Sequence, residues 1–235
     1  MPRHAAKAQR WDLGLQSERV EALRFSQSLE PIYDLNRRML ALLAEPTDES
    51  AHHYFHAGTP IGHALLDIDA STREQIALCP FLLVDASLND ATKWKLSDSA
   101  AGVYSHLNGL TRVLELARST CVLSWYLLRT DPAAAKLILG VSQDCAAVIA
   151  QSGLSELQQI AARLVQQRSF KPRWHDRPHA WRHLIHSAQT TSPKPVAIHG
   201  LQLFLGDLFG GDVGRGSTSS VFAQTRHKRT LRMLS

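Results

Sequence analysis

Cysteine is scarce in this 235-residue chain: Cys79, Cys121 and Cys145 are widely spaced and odd in number. That argues against a disulfide framework and a Cys-x-x-Cys metal site, and it points to a reducing compartment, the cytoplasm. No apolar run approaches the ~20 residues that cross a bilayer. The N-terminus, MPRHAAKAQR, is basic with no apolar stretch behind it, so neither a secretory signal nor a membrane partner is expected. Gly-x-Ser-x-Gly, a phosphate-binding loop and a dinucleotide fingerprint after a strand are all missing. GGDVGRG (210–216) is glycine-rich but has no strand before it. Cys121 and Cys145 fall on apolar helical faces and read as core thiols. Neither catalysis nor a cofactor is therefore expected.

What is present is an ordinary globular composition, 44% hydrophobic and 20% charged, with an uneven charge. Residues 11–162 hold 11 Lys and Arg against 18 Asp and Glu. Residues 163–194 hold seven Lys and Arg against one Asp, and residues 210–235 hold five against one. An acidic body with one basic segment suits a protein that meets a polyanion through a single face, or one with a solvated loop and tail.

Periodicity predicts an all-α, multi-helical fold. A helix is expected over 17–44, broken or kinked at Pro31. The stretch 45–60 reads as a loop, and IGHALLDI as a short helical piece. STRE (71–74) has capping-box form, predicting a helix from Thr72 to before Pro80. CPFLLVDASL (79–88) has no partner run nearby and is expected to be buried irregular or helical structure. Residues 89–102 read as a surface connection and a domain boundary. A long helix is predicted from Tyr104. Its repeating face of Leu107, Leu110, Leu114, Ala117, Cys121, Ser124 and Leu128 suits packing or dimerisation. Asp131 with Pro132, Gly140, Ser142, Gly153, and Ser155 with Gln158 punctuate short helices over 131–167. A final amphipathic helix is expected over 196–209. The organisation read from these signals is a basic flexible N-terminus (1–16), a helical region (17–100), a helical domain (101–209) and a disordered basic tail (210–235). There is no convincing internal repeat; LLDIDASTRE (65–74) and LLRTDPAAAK (127–136) share a loose pattern, by chance or by remote duplication.

LILGVSQDCAAVIAQSGLSELQQIAARL (137–164) has the rhythm of a helix-turn-helix. Yet the small residue expected four before the turn glycine is displaced, with Lys136 before Gly140 and Ile149 before Gly153. Residues 141–162 contain no Lys or Arg at all. Phosphate neutralisation dominates DNA affinity, so this unit reads as packing. The contact candidates lie just beyond it: Arg163, Arg168, Lys171, Arg173, Arg177 and Arg182, interleaved with Phe170, Trp174 and Trp181. Arginines hold phosphates and aromatics stack. The alternative is that the tryptophans anchor the segment while the arginines are solvated. His175, His179, His183 and His186 follow, without the carboxylates or cysteines of a metal site, and no metal is expected.

LARSTCVLSWYLLRTDPAAAKLILGVS, AAVIAQSGLSELQQIAA, FKPRW and AIHGLQLFLGDL follow one another in that order, over a little under half the chain. On these motifs, residues from about Leu107 to Phe209 resemble FlhD, the flagellar transcriptional regulator family. It implies an all-α subunit that self-associates and activates transcription with an FlhC-type partner, which carries the zinc-binding cysteines and most of the DNA affinity. It also implies that residues from about Thr191 to Leu203, with Lys194 and His199, lie near DNA. The rival readings are a stand-alone nucleic-acid-binding protein using 163–194, and a helical adaptor or chaperone with no nucleic-acid role. The arginines decide between them: a shared exposed face favours a polyanion, and pairing with the acidic body favours the adaptor.

Overall fold

A computed structural model describes residues 29–44, 49–56, 68–96, 107, 109–190, and 196, 198, 200–202, 204 and 205. The expectations for 1–28, most of IGHALLDI and the tail lie outside these residues. Within them the protein is mostly helical, with one two-stranded ladder.

Helix α1 spans 29–44. Leu29, Ile32, Leu35, Met39, Leu42 and Leu43 recur every three or four residues and are all buried. The helix continues unbroken through Pro31 among the described residues. Helix α2, Glu49–His56, occupies the middle of the loop expected over 45–60, whose remaining residues lie outside the described ones. Ala51, Tyr54 and Phe55 form its buried face. Helix α3, Ala70–Ala77, is capped by Asp69 rather than by a Ser71–Glu74 box. The Asp69 carboxylate accepts from Thr72 N at 2.8 Å, and these bonds hold its pKa below the usual range. Glu74 turns away and pairs with Arg37 at 2.8 Å.

Beyond α3 the chain runs irregularly through the interior. Val84–Asp85 (β1) pairs antiparallel with Lys171–Pro172 (β2), Val84 opposite Pro172 and Asp85 opposite Lys171. Only two residues of 79–88 are strand, and their partner lies far along the sequence. A 3-10 turn follows at Ala91–Lys93. The supposed surface connection delivers a core anchor, Trp94, whose indole N–H donates to Ala86 O at 3.2 Å.

Helix α4, Thr111–Thr130, starts later than Tyr104 because Gly109 turns the chain with φ +87. Its seam of Leu114, Ala117, Cys121, Ser124 and Leu128 is buried, with Leu110 half-buried. These residues pack within this same chain, where α4 lies against α5 (Pro132–Leu139), α6 (Gln143–Gln151) and above all α7 (Leu154–Gln166). The short helices are punctuated largely as expected. Asp131 caps α5 with Pro132 at its start, Gly140 ends it at φ 65, and Ser142 caps α6. At α7 the cap lies two residues earlier than Ser155: Gly153 N–H donates to the Glu156 carboxylate at 2.7 Å. Helix α8, Pro178–Thr190, packs on α3. A last helical segment is described in part over 196–205, and its Phe204 is buried. One hydrophobic core runs from Leu29 to Phe204, so the described residues on both sides of 89–102 share it.

Asn36, fully buried on α1, holds the irregular segment in place. Its Nδ2 faces Ala77 O, Cys79 O and Phe81 O at 3.0 to 3.2 Å, and its Oδ1 accepts from Leu83 N at 2.9 Å. The amide orientation follows from those partners, since three carbonyls and one N–H admit only one assignment. Asn36→Leu fills similar space but orphans buried backbone groups, at about 1–3 kcal/mol each. The expected outcome is a loss of about 3 kcal/mol or more in urea unfolding, far above that of an exposed change such as Asp34→Asn.

Candidate nucleic-acid interface

Two of the six basic residues in this segment, Arg163 and Arg173, direct their side chains into the molecule, while Arg168 is exposed. Arg163, on α7, donates Nη1 to Lys95 O at 2.7 Å and Nη2 to Lys93 O. It thereby ties α7 to the 3-10 turn, and burial lowers its pKa. Arg173 follows β2. Its Nε donates to Leu82 O at 2.8 Å, its Nη2 donates to Leu139 O at 3.0 Å, and the guanidinium lies 4.9 Å from the Phe204 ring centroid. One planar fork thus joins the segment before β1, the end of α5 and the last helical segment. Arg168 closes α7 in the left-handed region, φ 51, while Ser169 N returns to Leu164 O at 2.8 Å. Its guanidinium stands 5.5 Å from the Tyr54 ring centroid and donates to Tyr54 O at 3.3 Å.

The remaining cations differ in exposure. Lys171 is half-buried, and its Nζ lies 2.9 Å from His175 Nε2. Burial, and then the Lys171 charge, lower the pKa of His175 below its ordinary 6.5. A neutral His175 accepting from the ammonium fits both facts. Arg177 and Arg182 are exposed, one before α8 and one on it. Lys194 and His199 lie outside the described residues. Arg163, Arg168 and Arg173 thus meet backbone carbonyls, and Arg168 and Arg173 also meet aromatic rings, while Arg168, Arg177 and Arg182 are exposed.

The aromatics serve the same purpose. Trp181 is fully buried and donates its indole N–H to Arg173 O at 2.7 Å. Trp174 meets Phe81 and Trp181 edge-on, with centroids 5.9 and 6.4 Å away. Phe81 stacks on Phe204 at 4.8 Å. None of these rings is available to a base. Sequence reasoning missed Tyr54, whose hydroxyl donates to Phe170 O at 2.7 Å; desolvation raises its pKa. The apolar spacing of Ala51, Tyr54 and Phe55 was the signal for it.

The helix-turn-helix-like stretch has real helices and a packed interior. On α7, Leu157, Ile160, Ala161, Leu164 and Val165 face the core, while the outer positions include Ser155, Glu156, Gln158 and Gln159. Its solvent face carries a carboxylate where a groove reader needs cations. His179, His183 and His186 are exposed on α8. Among the described residues, no three His, Cys, Asp or Glu side chains converge on a metal position, and no single helix is long and apolar enough to cross a membrane. All three thiols are buried, and desolvation pushes Cys79 and Cys145 up to about 12, far from nucleophilic.

No protein-family model, curated protein or solved structure matches the chain.

Two substitutions test this placement. Arg173→Lys keeps the charge but loses the planar fork, so it should destabilise by about 2 kcal/mol. Arg182→Lys should stay within about 0.5 kcal/mol in the same thermal melts. The depressed His175 pKa means that, as pH falls through 6.5, the unfolded chain takes up a proton that the folded chain resists. Stability is therefore lost on the acid side. His175→Gln, which keeps an acceptor for Lys171, should lose less stability than the parent between about pH 7.5 and 5.5.

Proposed function

We propose that this protein is a non-catalytic regulatory subunit of the kind FlhD represents, acting on transcription through a protein partner of the FlhC type. The observation that carries the partner-dependent part is the inward placement of Arg163 and Arg173. Cations committed to the chain's own buried carbonyls are withdrawn from phosphate contact. The buried, high-pKa thiols support a regulatory role over covalent catalysis.

Contact with a protein is supported by the outer face of α4. Val122 and Tyr126 are exposed one turn apart, and the Arg129 guanidinium lies 4.8 Å from the centroid of the neighbouring Trp125 ring. Aromatics and arginine are residue types that protein interfaces favour. The same features fit a helical adaptor with no nucleic-acid role, which is the second reading.

Mobility-shift titrations at about 50 and 200 mM salt separate these readings. The chain alone should leave promoter DNA unshifted at micromolar concentration, and addition of an FlhC-type subunit should give a shifted complex containing both proteins. Tight, salt-sensitive binding by the chain alone, abolished by Arg177→Glu with Arg182→Glu, would establish the stand-alone reader instead. Failure of the two proteins to associate would leave the adaptor.

A further inference from the structure

The two irregular segments that meet at the ladder repeat a set of backbone conformations and hydrogen bonds 87 residues apart. Val84–Asp85 corresponds to Lys171–Pro172. Ser87 and Trp174 are both left-handed, each with φ 54. Asp90 N donates to Ser87 O at 3.0 Å, and Arg177 N donates to Trp174 O at 2.8 Å. Lys93 N donates to Asp90 O at 3.1 Å, and Ala180 N donates to Arg177 O at 3.0 Å. The 3-10 turn starts at Ala91 and α8 at Pro178. Trp94 and Trp181 each send an indole N–H back to the carbonyl eight residues earlier, Ala86 O and Arg173 O. Bulky residues avoid positive φ, so its recurrence at matching places, with the same following turn and tryptophan, is not generic loop geometry.

The elements before these segments also correspond. An opening amphipathic helix, α1 or α4, precedes an eight-residue helix, α2 or α5. Later in each half, after α6 in the second and after residues outside the described ones in the first, come α3 and α7, with Ser71, Gln75, Ile76 and Ala77 in the places of Ser155, Gln159, Ile160 and Ala161. The longer α7 accounts for the spacing that grows from 84 residues at these helices to 87 beyond them. This register escaped sequence reading because few identities survive; backbone conformation and hydrogen bonds retain it.

The halves are arranged as an isologous pair. Val84 pairs with Pro172 and Asp85 with Lys171, so the first strand residue of each half faces the second of the other. That is the register of a two-fold axis through the ladder. Each half's short helix bonds to the other half's irregular segment, though through different atoms. Tyr54 on α2 donates to Phe170 O in the second half's segment, while Leu82 N in the first half's segment donates to Ile138 O on α5. Each short helix lies on the opposite half.

We propose that this chain is a fused pseudo-dimer, two copies of one helical unit joined end to end and packed about an internal two-fold axis. One polypeptide fills the interface that a single unit would need a second copy to fill. The self-association expected from the α4 seam is thus met within the chain. Fusion also lets the copies diverge. The outer face of α1 is crossed by ion pairs from Arg37 to Glu30 and Glu74, whereas that of α4 carries Val122 and Tyr126. This inference goes beyond the proposed function and holds whether or not DNA is involved.

The test uses the full chain. Sedimentation equilibrium should give a single species of 26.1 kDa across about a hundredfold range of micromolar concentration. In Asp85→Cys with Lys171→Cys, the new thiols face each other across the ladder, and the native cysteines are buried. Mild oxidation should close a bridge within one chain, seen as a faster monomer band on a non-reducing gel. A stable dimer of the parent protein, a bridge linking two chains, or a folded double variant that forms no bridge would each overturn the proposal. If the double variant fails to fold, the parent's mass remains decisive: a dimer refutes the fused arrangement and a monomer upholds it.

Discussion

Two stretches of non-helical backbone, 78–88 and 167–177, pass through the middle of a helical molecule. Buried peptide groups must find hydrogen-bond partners, and only two residues of each stretch find them in a ladder. Side chains supply much of the remainder. Asn36 meets three carbonyls and one N–H, Arg173 meets Leu82 O and Leu139 O, and Tyr54, Trp94 and Trp181 each serve one carbonyl. The helices around the ladder are held in register by these contacts as well as by apolar packing. Without them the centre would be a set of desolvated, unpaired amides.

This requirement recasts the basic, aromatic segment. Arginine and tryptophan are the residues expected where phosphates and bases are gripped, and they are also suited to capping buried carbonyls while filling space. Arg163 and Arg173 perform the second task, and Arg168 combines a carbonyl contact with a ring. The separation of charge along the chain is thus partly a consequence of folding, which lowers the share of the formal charge available to a polyanion and shifts the functional reading towards a protein partner.

What could be read from the sequence follows the range of the interactions. Asp131–Pro132, Gly140 and Ser142 were legible because caps act within one turn of their own residues. The core face of α4 was legible from its period. Asp69 displaced Ser71 as a cap because both residues have the chemistry and only the local backbone chooses between them. Helix α2 was hidden in a polar, histidine-rich stretch whose three apolar residues are its only periodic signal. The ladder was invisible because its strands are two residues long and its partner is remote. Most of the candidate site failed for the same reason: arginine's chemistry is evident in a sequence, but whether its fork meets a phosphate or a carbonyl depends on contacts as distant as Arg173 to Leu82.

Native-state hydrogen exchange tests the central role of the capped backbone most directly. The amide of Leu83, held by Asn36, and that of Arg173, which donates to Leu83 O at 2.7 Å, carry the centre of the account. Both should exchange only through global unfolding, with an opening free energy matching that from denaturant titration. Exchange of either amide through small local openings, orders of magnitude faster than the core amides of α4, would contradict it.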